Sequence, residues 1–318
     1  MSKFFDNNSN DLFLDPKVNQ YGSHMVMTNV TKPTKKKYIN IDTKFSDDFN
    51  YNRCGNSYYN AIDSYTFTLP ERLTEVKSLR VLSLELPMSF YNISSSLGNN
   101  FFKVVDNMTS VSNMIVVDPS NYTISGLQSA ISTKILALGL NLSYTDISNN
   151  FSNFKLATPS PPSYTIYFDT DIYGNFDKYN FRSKLGWMLG YRDQSYNIVS
   201  DLVNTSSESF LDLSNPRYLY LVVDEFNNCV QNTFISPVNS SLINKKILAR
   251  MSIDTQFYPF GSVLHSYENF GSMVSDKRNY SGGKIDIQKL NVQLVNEYGR
   301  VIDLNGLDFS FLIEMEIE

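Results

Sequence analysis

The stretch GRVIDLNGLDFSFLIEMEIE, residues 299–318, decides the fold because apolar and polar side chains alternate along it. Five apolar side chains share one parity: Phe309, Phe311, Ile313, Met315 and Ile317. Five polar side chains share the other parity: Asp308, Ser310, Glu314, Glu316 and Glu318. Because successive side chains point to opposite faces of a β-strand, this alternation predicts a terminal strand with one buried face and one acidic face.

The composition also favours β-structure. The chain has 318 residues, enough for one large β domain or two small ones. Aromatic residues make up 14% of it and charged residues only 19%, a balance that suits strands and loops better than helical bundles. No apolar run approaches the roughly 20 residues of a membrane helix, and the first residues lack the apolar core of a signal peptide. We therefore expect synthesis in the cytoplasm and no membrane insertion.

Three further segments show strand patterns. An alternating run over residues 65–69 stops at Pro70, and a second strand is predicted over residues 76–86. Residues 218–223 are apolar on both parities, which predicts a central strand covered on both faces. Residues 290–304 predict a β-hairpin, because two apolar runs flank a polar turn that contains glycine.

One helix is predicted, within NYTISGLQSAISTKILALG. Its apolar residues are spaced by three and four positions and form a single stripe: Ile124, Leu127, Ile131, Ile135 and Leu138. Thr123 or Ser125 can cap its N-terminus, and Gly139 can end it. Many short strands and one short amphipathic helix predict a mainly β protein, an antiparallel β-sandwich of the jelly-roll type.

The first 37 residues differ from the rest of the chain. They hold six lysines and three aspartates, a net charge of +3, which leaves −8 on the remainder of a chain whose formal net charge is −5. We predict an extended basic N-terminal arm over residues 1–37 and a sandwich body over residues 38–318, with a subdivision near residues 155–165 as an alternative. The acidic body is unsuited to binding nucleic acid, which demands a dense basic surface.

The basic arm and the acidic face of the terminal strand are the candidate partner-binding sites. Their residues are Lys32, Lys35, Lys36, Lys37, Glu314, Glu316 and Glu318. The lysines belong either to a solvated linker or to an arm that docks on an acidic neighbour. Three glutamates in a row repel one another, so their face meets either solvent or basic residues on an adjacent element or chain. The basic arm of a neighbouring subunit is one such partner.

Candidate catalytic and metal-ligating residues are few. The chain has no phosphate-binding loop, nucleophile elbow or paired-histidine zinc motif. Two histidines and two cysteines are too few for a common zinc site or a disulfide framework: His24, His265, Cys54 and Cys229. Asp169 and Asp171 would lie roughly 7 Å apart on a strand, which suits a glycosidase or a Ca²⁺ site as well as an outward-facing turn. We expect no enzyme, and no catalytic, metal or cofactor site.

Several passages together resemble a known family. They are YINIDTKF, YTFTLPERLTEVKSLRVLSLELPMSFYNI, VVDPSNYTISGLQSAI, LGWMLGYR, PRYLYLVVDEF and the closing SGGKIDIQKLNVQLVNEYGRVIDLNGLDFSFLIEMEIE. This pattern, which covers most of residues 38–318, resembles the minor capsid or virion structural proteins of large double-stranded DNA viruses that infect protists and algae. The motifs specify strands and turns rather than chemistry.

The resemblance implies a structural component of an icosahedral capsid, a minor capsid or penton-type protein located in the virion. It would bridge or anchor neighbouring capsomers through loops, edge strands and the N-terminal arm. Its expected partners are the major capsid protein and neighbouring minor capsid proteins, and we expect a homo-oligomer, either a pentamer or a trimer. The alternative is a host-attachment or glycan-binding β protein on the virion surface, in which exposed aromatic residues such as Trp187 stack on sugars.

Overall fold

A computed structural model describes residues 33–47, 64–147, 150–159, 163–177, 181–199, 205–227, 246–268, 272–280 and 284–318. Sixteen β-strands lie within these ranges: β1 (Lys35–Asp42), β2 (Tyr65–Pro87), β3 (Phe101–Asp106), β4 (Ser112–Val116), β5 (Leu142–Ile147), β6 (Phe151–Leu156), β7 (Tyr164–Tyr167), β8 (Ser195–Ile198), β9 (Thr205–Phe210), β10 (Tyr218–Asp224), β11 (Ile247–Ser252), β12 (Val263–Tyr267), β13 (Met273–Ser275), β14 (Arg278–Asn279), β15 (Ile285–Val295) and β16 (Ser310–Ile317). Two α-helices lie there as well: α1 (Ile124–Ala137) and α2 (Leu185–Met188). The described part of the chain is therefore mainly β, as the sequence predicts.

The largest sheet among the described strands is antiparallel and has nine strands. Its path is β1-β16-β2-β15-β10-β11-β13, and β12 and β14 also pair with β2. Because β13 pairs with β11 and leads directly into β14 on β2, the sheet returns to β2 after leaving it through β15. A sheet that folds back in this way encloses an apolar core between two layers. The antiparallel, jelly-roll-like sandwich predicted from the sequence is confirmed, and we call this unit the sandwich.

β2 is one continuous strand of 23 residues, whereas the sequence predicted two strands separated at Pro70. Proline has no N–H to donate, so it interrupts a strand unless its position is left out of the hydrogen-bonded ladder. On β15, Lys289 lies opposite Thr68 and Ile287 lies opposite Leu73, so a β-bulge surrounds Pro70. The prediction of a break was wrong because Pro70 lies in a bulge of β2, beyond which the strand continues and pairs with β15 again.

The terminal strand β16 lies between β1 and β2 and pairs with both along its length. Phe311, Ile313 and Met315 are completely buried in the sandwich core. Burying an apolar side chain of this size stabilises a fold by roughly 1.5–3 kcal/mol, so this face of β16 is a substantial part of the core. The terminal strand with one buried apolar face, predicted from the alternating sequence, is confirmed.

β10 lies between β15 and β11 and is buried on both faces. Leu219, Leu221 and Val223 pack in the sandwich core, whereas Tyr220 and Val222 belong to a small separate cluster on the opposite face of the sheet. This arrangement confirms the central strand that the uniformly apolar sequence predicted.

A second apolar core is formed by residues within 93–213, a segment that we call the insert. Two small antiparallel sheets, β4-β3-β7-β8 and β5-β6-β9, surround this core together with α1. Leu156 and Tyr164 both belong to it, so residues 155–165, where a subdivision was considered, lie inside the insert. The chain therefore leaves the sandwich after β2, forms the insert, and returns to the sandwich at β10.

The helix α1 packs on the insert core through Leu127, Ile131 and Ile135, which are all buried. The Oγ1 of Thr123 accepts a hydrogen bond from the N–H of Gly126 at 3.2 Å, so this threonine caps the helix N-terminus. The predicted helix is confirmed. Among the described residues, no helix has both the length and the apolar character needed to cross a membrane.

Residues 1–32, which include Lys32 and most of the predicted basic arm, lie outside the described residues. The last three residues of that predicted arm, Lys35 to Lys37, already belong to β1. The sheet therefore begins three residues before the predicted start of the body at Tyr38.

A buried ion pair fixes β14 against β10 and β11. The Nη1 of Arg278 donates to Glu225 Oε2 at 2.6 Å and to the main-chain oxygen of Val223 at 2.8 Å. Its Nη2 donates to the main-chain oxygen of Lys246 at 2.9 Å. The side chains of Arg278 and Glu225 are only 2% and 0% exposed, so each charge depends on the other for compensation.

We predict that Arg278→Met lowers the free energy of unfolding by about 3–5 kcal/mol, because it leaves the carboxylate of Glu225 buried without a counter-charge. Adding Glu225→Gln to this variant should restore part of the loss. The control is Arg72→Met, which removes an exposed pair with Asp286 and should change stability by less than about 0.5 kcal/mol. Urea denaturation measures all of these variants, and equal effects of Arg278→Met and Arg72→Met would contradict the prediction.

Candidate functional site

The acidic row of β16 is neutralised within the chain. The Nζ of Lys36 on β1 lies 3.1 Å from Glu314 Oε2, and the Nε of Arg80 on β2 donates to Glu314 Oε1 at 2.9 Å. The Nη1 of Arg80 also lies 2.8 Å from Glu268 Oε1. Glu314, whose side chain is 5% exposed, therefore belongs to a network in which acidic and basic groups alternate. Both strands that flank β16 therefore supply basic partners for this glutamate.

The other two glutamates of the row have similar partners. The Nζ of Lys277 lies 2.7 Å from Glu316 Oε1, and Lys77 lies 3.5 Å from Glu318. Lys284 contacts Glu318 as well. Of the two alternatives for this face, solvent or basic residues on an adjacent element, the fold has the second. The three glutamates therefore have positively charged partners within their own chain and do not require basic residues from a second chain.

The lysines of the candidate arm divide among three positions. Lys36 meets the acidic row at Glu314, whereas Lys37 contacts Glu71 on β2. Lys35 is exposed at the start of β1, and Lys32 lies outside the described residues. Of the three described lysines in this set, Lys36 is the one whose ammonium group pairs with a predicted glutamate. The role of the set in partner binding stays a prediction.

The pKa of Glu314 reflects this network. Burial alone would raise it, but hydrogen bonds from Lys36, Arg80 and Tyr38 hold the pKa of Glu314 below its ordinary value of 4.5. The hydrogen bond from Lys277 likewise lowers the pKa of Glu316 against a smaller effect of burial. Both groups favour the charged form, so the network stabilises the fold at neutral pH.

The aspartates predicted as a candidate pair belong to a tight turn, residues 169–177, after β7. One carboxylate oxygen of Asp171 accepts hydrogen bonds from the N–H groups of Tyr173 at 2.9 Å and Asn175 at 2.8 Å. Partial burial would raise the pKa of Asp171, but these hydrogen bonds hold it below the ordinary value. Asp169 is 5% exposed, and burial raises its pKa despite the nearby positive charge of Lys184. The two carboxylates therefore differ in environment, and Asp171 serves the turn.

A buried lysine that follows this turn in the sequence forms an ion pair with it. Lys184 is 3% exposed, and its Nζ lies 2.9 Å from Asp177 Oδ2. Its charge also acts on Asp169 and Asp171. Within the described part of the chain, no three His, Cys, Asp or Glu side chains are grouped to hold a metal ion. Lys184 is therefore one source of positive charge near these aspartates, and Lys103 also acts on Asp169.

The same turn holds three large apolar side chains in solvent. Ile172, Tyr173 and Phe176 are 43%, 85% and 64% exposed. Gly174, at a φ of +83°, lies against Met114 and the stem of Lys103, whose Nζ donates to the Gly174 main-chain oxygen at 3.1 Å. We call residues 171–176 the aromatic turn. Its backbone is fixed by hydrogen bonds while its apolar side chains project outward.

A second exposed aromatic segment follows β11. Phe257 and Phe260 are 74% and 52% exposed, and Tyr91 stacks on Phe260 with ring centroids 5.8 Å apart. Neither group of exposed aromatic residues was among the sites predicted from the sequence. The signal was present as the clusters DIYGNF and QFYPFG, in which aromatic residues surround the glycine of a turn.

Trp187, the candidate sugar platform, is half-buried and already has partners. The guanidinium of Arg192 lies 4.1 Å from its ring centroid, and that of Arg182 lies 5.4 Å away. Phe181 packs edge-on at 5.7 Å. His265 is exposed on β12, opposite Glu85. The remaining candidates, His24, Cys54 and Cys229, lie outside the described residues.

Comparisons with known proteins give distant structural likenesses but no match by sequence. No protein-family model and no curated protein matches the sequence. Among solved structures, the fold is similar to the crystal structure of the selenomethionine-labelled mavirus penton protein, with a TM-score of 0.41 and 8% sequence identity. The match covers 89% of this chain and 100% of the mavirus chain. A likeness at this level identifies neither the family nor the function of this chain.

Glu314→Gln should lower the free energy of unfolding by about 2 kcal/mol at pH 7, because a neutral amide weakens the hydrogen bonds from Lys36 and Arg80. Since the folded-state pKa of Glu314 lies below 4.5, its contribution is complete above pH 4.5 and is lost as the pH falls through the folded-state value. The gap between wild type and variant, measured by urea denaturation, should therefore shrink between pH 7 and pH 3.

The control for this experiment is Asp118→Asn. Asp118 is 81% exposed and pairs with Lys134 at the surface, so its loss should change stability by less than about 0.5 kcal/mol at either pH. A Glu314→Gln effect that stays constant down to pH 3 would show that the charge of Glu314 does not support the fold.

Proposed function

We propose that this chain is a structural subunit of an icosahedral virion shell, a minor capsid or penton-type protein. In this role it bridges or anchors neighbouring capsomers and forms a homo-oligomer. Its partners are copies of itself, the major capsid protein and neighbouring minor capsid proteins. The sequence resemblance to such virion proteins supports the proposal, because the described fold is of the kind which that resemblance implies.

The observation that carries the proposal is the aromatic turn. A large apolar side chain held in solvent on a fixed backbone loses little conformational entropy when it enters a partner surface. Tyr173 and Phe176 are therefore well suited to anchor a protein–protein interface, in which aromatic residues frequently dominate the binding energy. Asp171 and Lys184 serve this function indirectly by keeping the turn in one conformation.

The exposed aromatic segment after β11 provides a second contact of the same chemical type on the sandwich. Phe257 and Phe260 lie on the sandwich, whereas the aromatic turn belongs to the insert. Two separate aromatic contacts allow one chain to touch two neighbours, which is what a bridging subunit of a closed shell requires.

The glycan-binding alternative has no comparable support. It depends on an indole that is free to stack on a sugar, but Arg192 and Arg182 already lie over the ring of Trp187. These contacts favour a structural role for Trp187 as a platform for two guanidinium groups. We therefore do not propose glycan binding for this chain.

We predict that the double variant Tyr173→Ser/Phe176→Ser stays folded and loses self-association. Removing two interface anchors should weaken the homo-oligomer by at least about 30-fold in Kd, which corresponds to roughly 2 kcal/mol. Mass photometry measures the oligomer, and thermal unfolding followed by circular dichroism checks the fold.

The matched control is Leu136→Ser, since Leu136 is 79% exposed on α1 and is not part of the aromatic turn. It should leave both the oligomer and the melting temperature unchanged. If the double variant forms the same oligomer as the wild type, the aromatic turn is not part of the interface. A wild-type protein that stays monomeric at every concentration would contradict the proposed homo-oligomer.

A further inference from the structure

The described part of the chain carries two matched pairs of exposed aromatic side chains. One pair, Tyr173 and Phe176, belongs to the aromatic turn of the insert. The other pair, Phe257 and Phe260, lies between β11 and β12 of the sandwich. All four side chains are more than half exposed, and each pair is separated by three positions in the sequence. Nowhere else among the described residues do two aromatic side chains of this exposure lie so close in sequence.

An aspartate fixes the backbone beneath each pair. One carboxylate oxygen of Asp171 accepts hydrogen bonds from two N–H groups of the aromatic turn. Asp254 does the same in the sandwich, where its Oδ1 accepts from the N–H of Gln256 at 2.9 Å and from that of Phe257 at 3.2 Å. Both pairs are therefore held in place before any partner arrives, which lowers the entropy cost of burying them in an interface.

Neighbouring rings also hold the pair on the sandwich. Phe260 stacks on Tyr91 with ring planes 15° apart, and Phe257 lies edge-on to Tyr258 with ring centroids 4.9 Å apart. Tyr258 is half-buried and packs against the sandwich core, so this contact ties Phe257 to the body of the fold. We call Tyr91, Phe257 and Phe260 the aromatic patch. It is a supported apolar surface rather than a set of loose side chains.

The chemistry of the aromatic turn matches that of the aromatic patch. Ile172, Tyr173 and Phe176 on the turn are uncharged, as are the three side chains of the patch, so contact between them buries no unpaired charge. Contact also removes apolar area of both surfaces from water. Aromatic rings in edge-to-face or offset-stacked arrangements attract one another more strongly than their buried area alone accounts for.

The symmetry of the proposed homo-oligomer limits which surfaces can meet. A contact between the aromatic turn and the same turn of a second copy would be isologous, and two copies complete it. A trimer or a pentamer instead needs a heterologous interface, in which two different surfaces of the chain meet. The aromatic turn and the aromatic patch share no residue and belong to different units of the fold. One copy can therefore use both at once, each with a different neighbour.

We propose that the aromatic turn of one copy docks on the aromatic patch of the next copy. This inference rests on the proposed homo-oligomer and identifies the two halves of its interface. Repetition of the contact from copy to copy closes a ring in which each chain touches two neighbours.

Two complementary variants test this pairing. Tyr173→Ser/Phe176→Ser disables the aromatic turn and keeps the patch, whereas Phe257→Ser/Phe260→Ser disables the patch and keeps the turn. Each variant alone should be monomeric, with self-association weakened at least about 30-fold in Kd. Mixed in equal amounts, they should form a dimer of one copy of each variant and nothing larger, because a single intact contact is available to such a pair. Native mass spectrometry, with one variant labelled with ¹⁵N, identifies the composition of each complex.

The matched control for the patch is Phe45→Ser. Phe45 is 74% exposed, as is Phe257, but it is not part of the patch, so this variant should assemble like the wild type. Circular dichroism checks the fold of every variant. Because Phe260 stacks on Tyr91, the single variant Phe257→Ser takes the place of the double variant in the mixture if the double variant melts below the wild type.

The outcomes separate this inference from the proposed function. If the wild type assembles and either double variant assembles like it, the inference is overturned while the homo-oligomer stands. A mixture that stays monomeric, or that grows beyond the dimer, overturns the inference in the same way. If the wild type is monomeric at every concentration, the proposed homo-oligomer fails together with the inference.

Discussion

The structure depends on the pairing of the terminal strand β16 with β1 on one side and β2 on the other. Its apolar face, with Phe311, Ile313 and Met315, fills the sandwich core, so the last residues of the sequence are among the best buried. Its polar face would carry three like charges in a row, which is stable only if cations lie close to them. Arg80 and Lys36 meet this condition at Glu314, one from each neighbouring strand.

Two cores and two kinds of surface follow from this organisation. The sandwich is closed by β14, which the buried pair of Arg278 and Glu225 holds against the central strands. The insert lies between strands β2 and β10 of the sandwich in the sequence and has an apolar core of its own. The glutamate row is neutralised within the chain, whereas the apolar side chains of the aromatic turn stay exposed to solvent.

Much of the fold could be predicted from local patterns. Alternation of apolar and polar residues, interrupted only at Leu312, identified β16. A uniformly apolar run identified β10, and apolar spacing of three and four residues identified α1. Each of these signals is local, because burial of one face imposes a periodicity on the sequence. The break predicted at Pro70 failed because pairing with β15, more than 200 residues later, resumes beyond a bulge in β2 that contains the proline.

The candidate sites were harder to predict because they depend on distant pairs. Glu314 and Arg80 are 234 residues apart, so the sequence offered only the alternatives of solvent or a basic neighbour. Asp169 and Asp171 were recognised as a pair, but the positive charges that act on them belong to Lys184 and, at Asp169, also to Lys103 on β3. The aromatic residues of the aromatic turn are recognisable in the sequence as the cluster DIYGNF. Its exposure depends on where the backbone of Gly174 packs, which no local pattern specifies.

Hydrogen exchange of the backbone amides tests most directly whether the sandwich depends on the pairing of β16 with its neighbouring strands. If it is, the amides of Phe311, Ile313 and Met315 exchange only when the whole sandwich unfolds, as slowly as those of the central strand β10. Rapid exchange of these three amides, while β10 stays protected, would show that the terminal strand detaches on its own and would contradict the account.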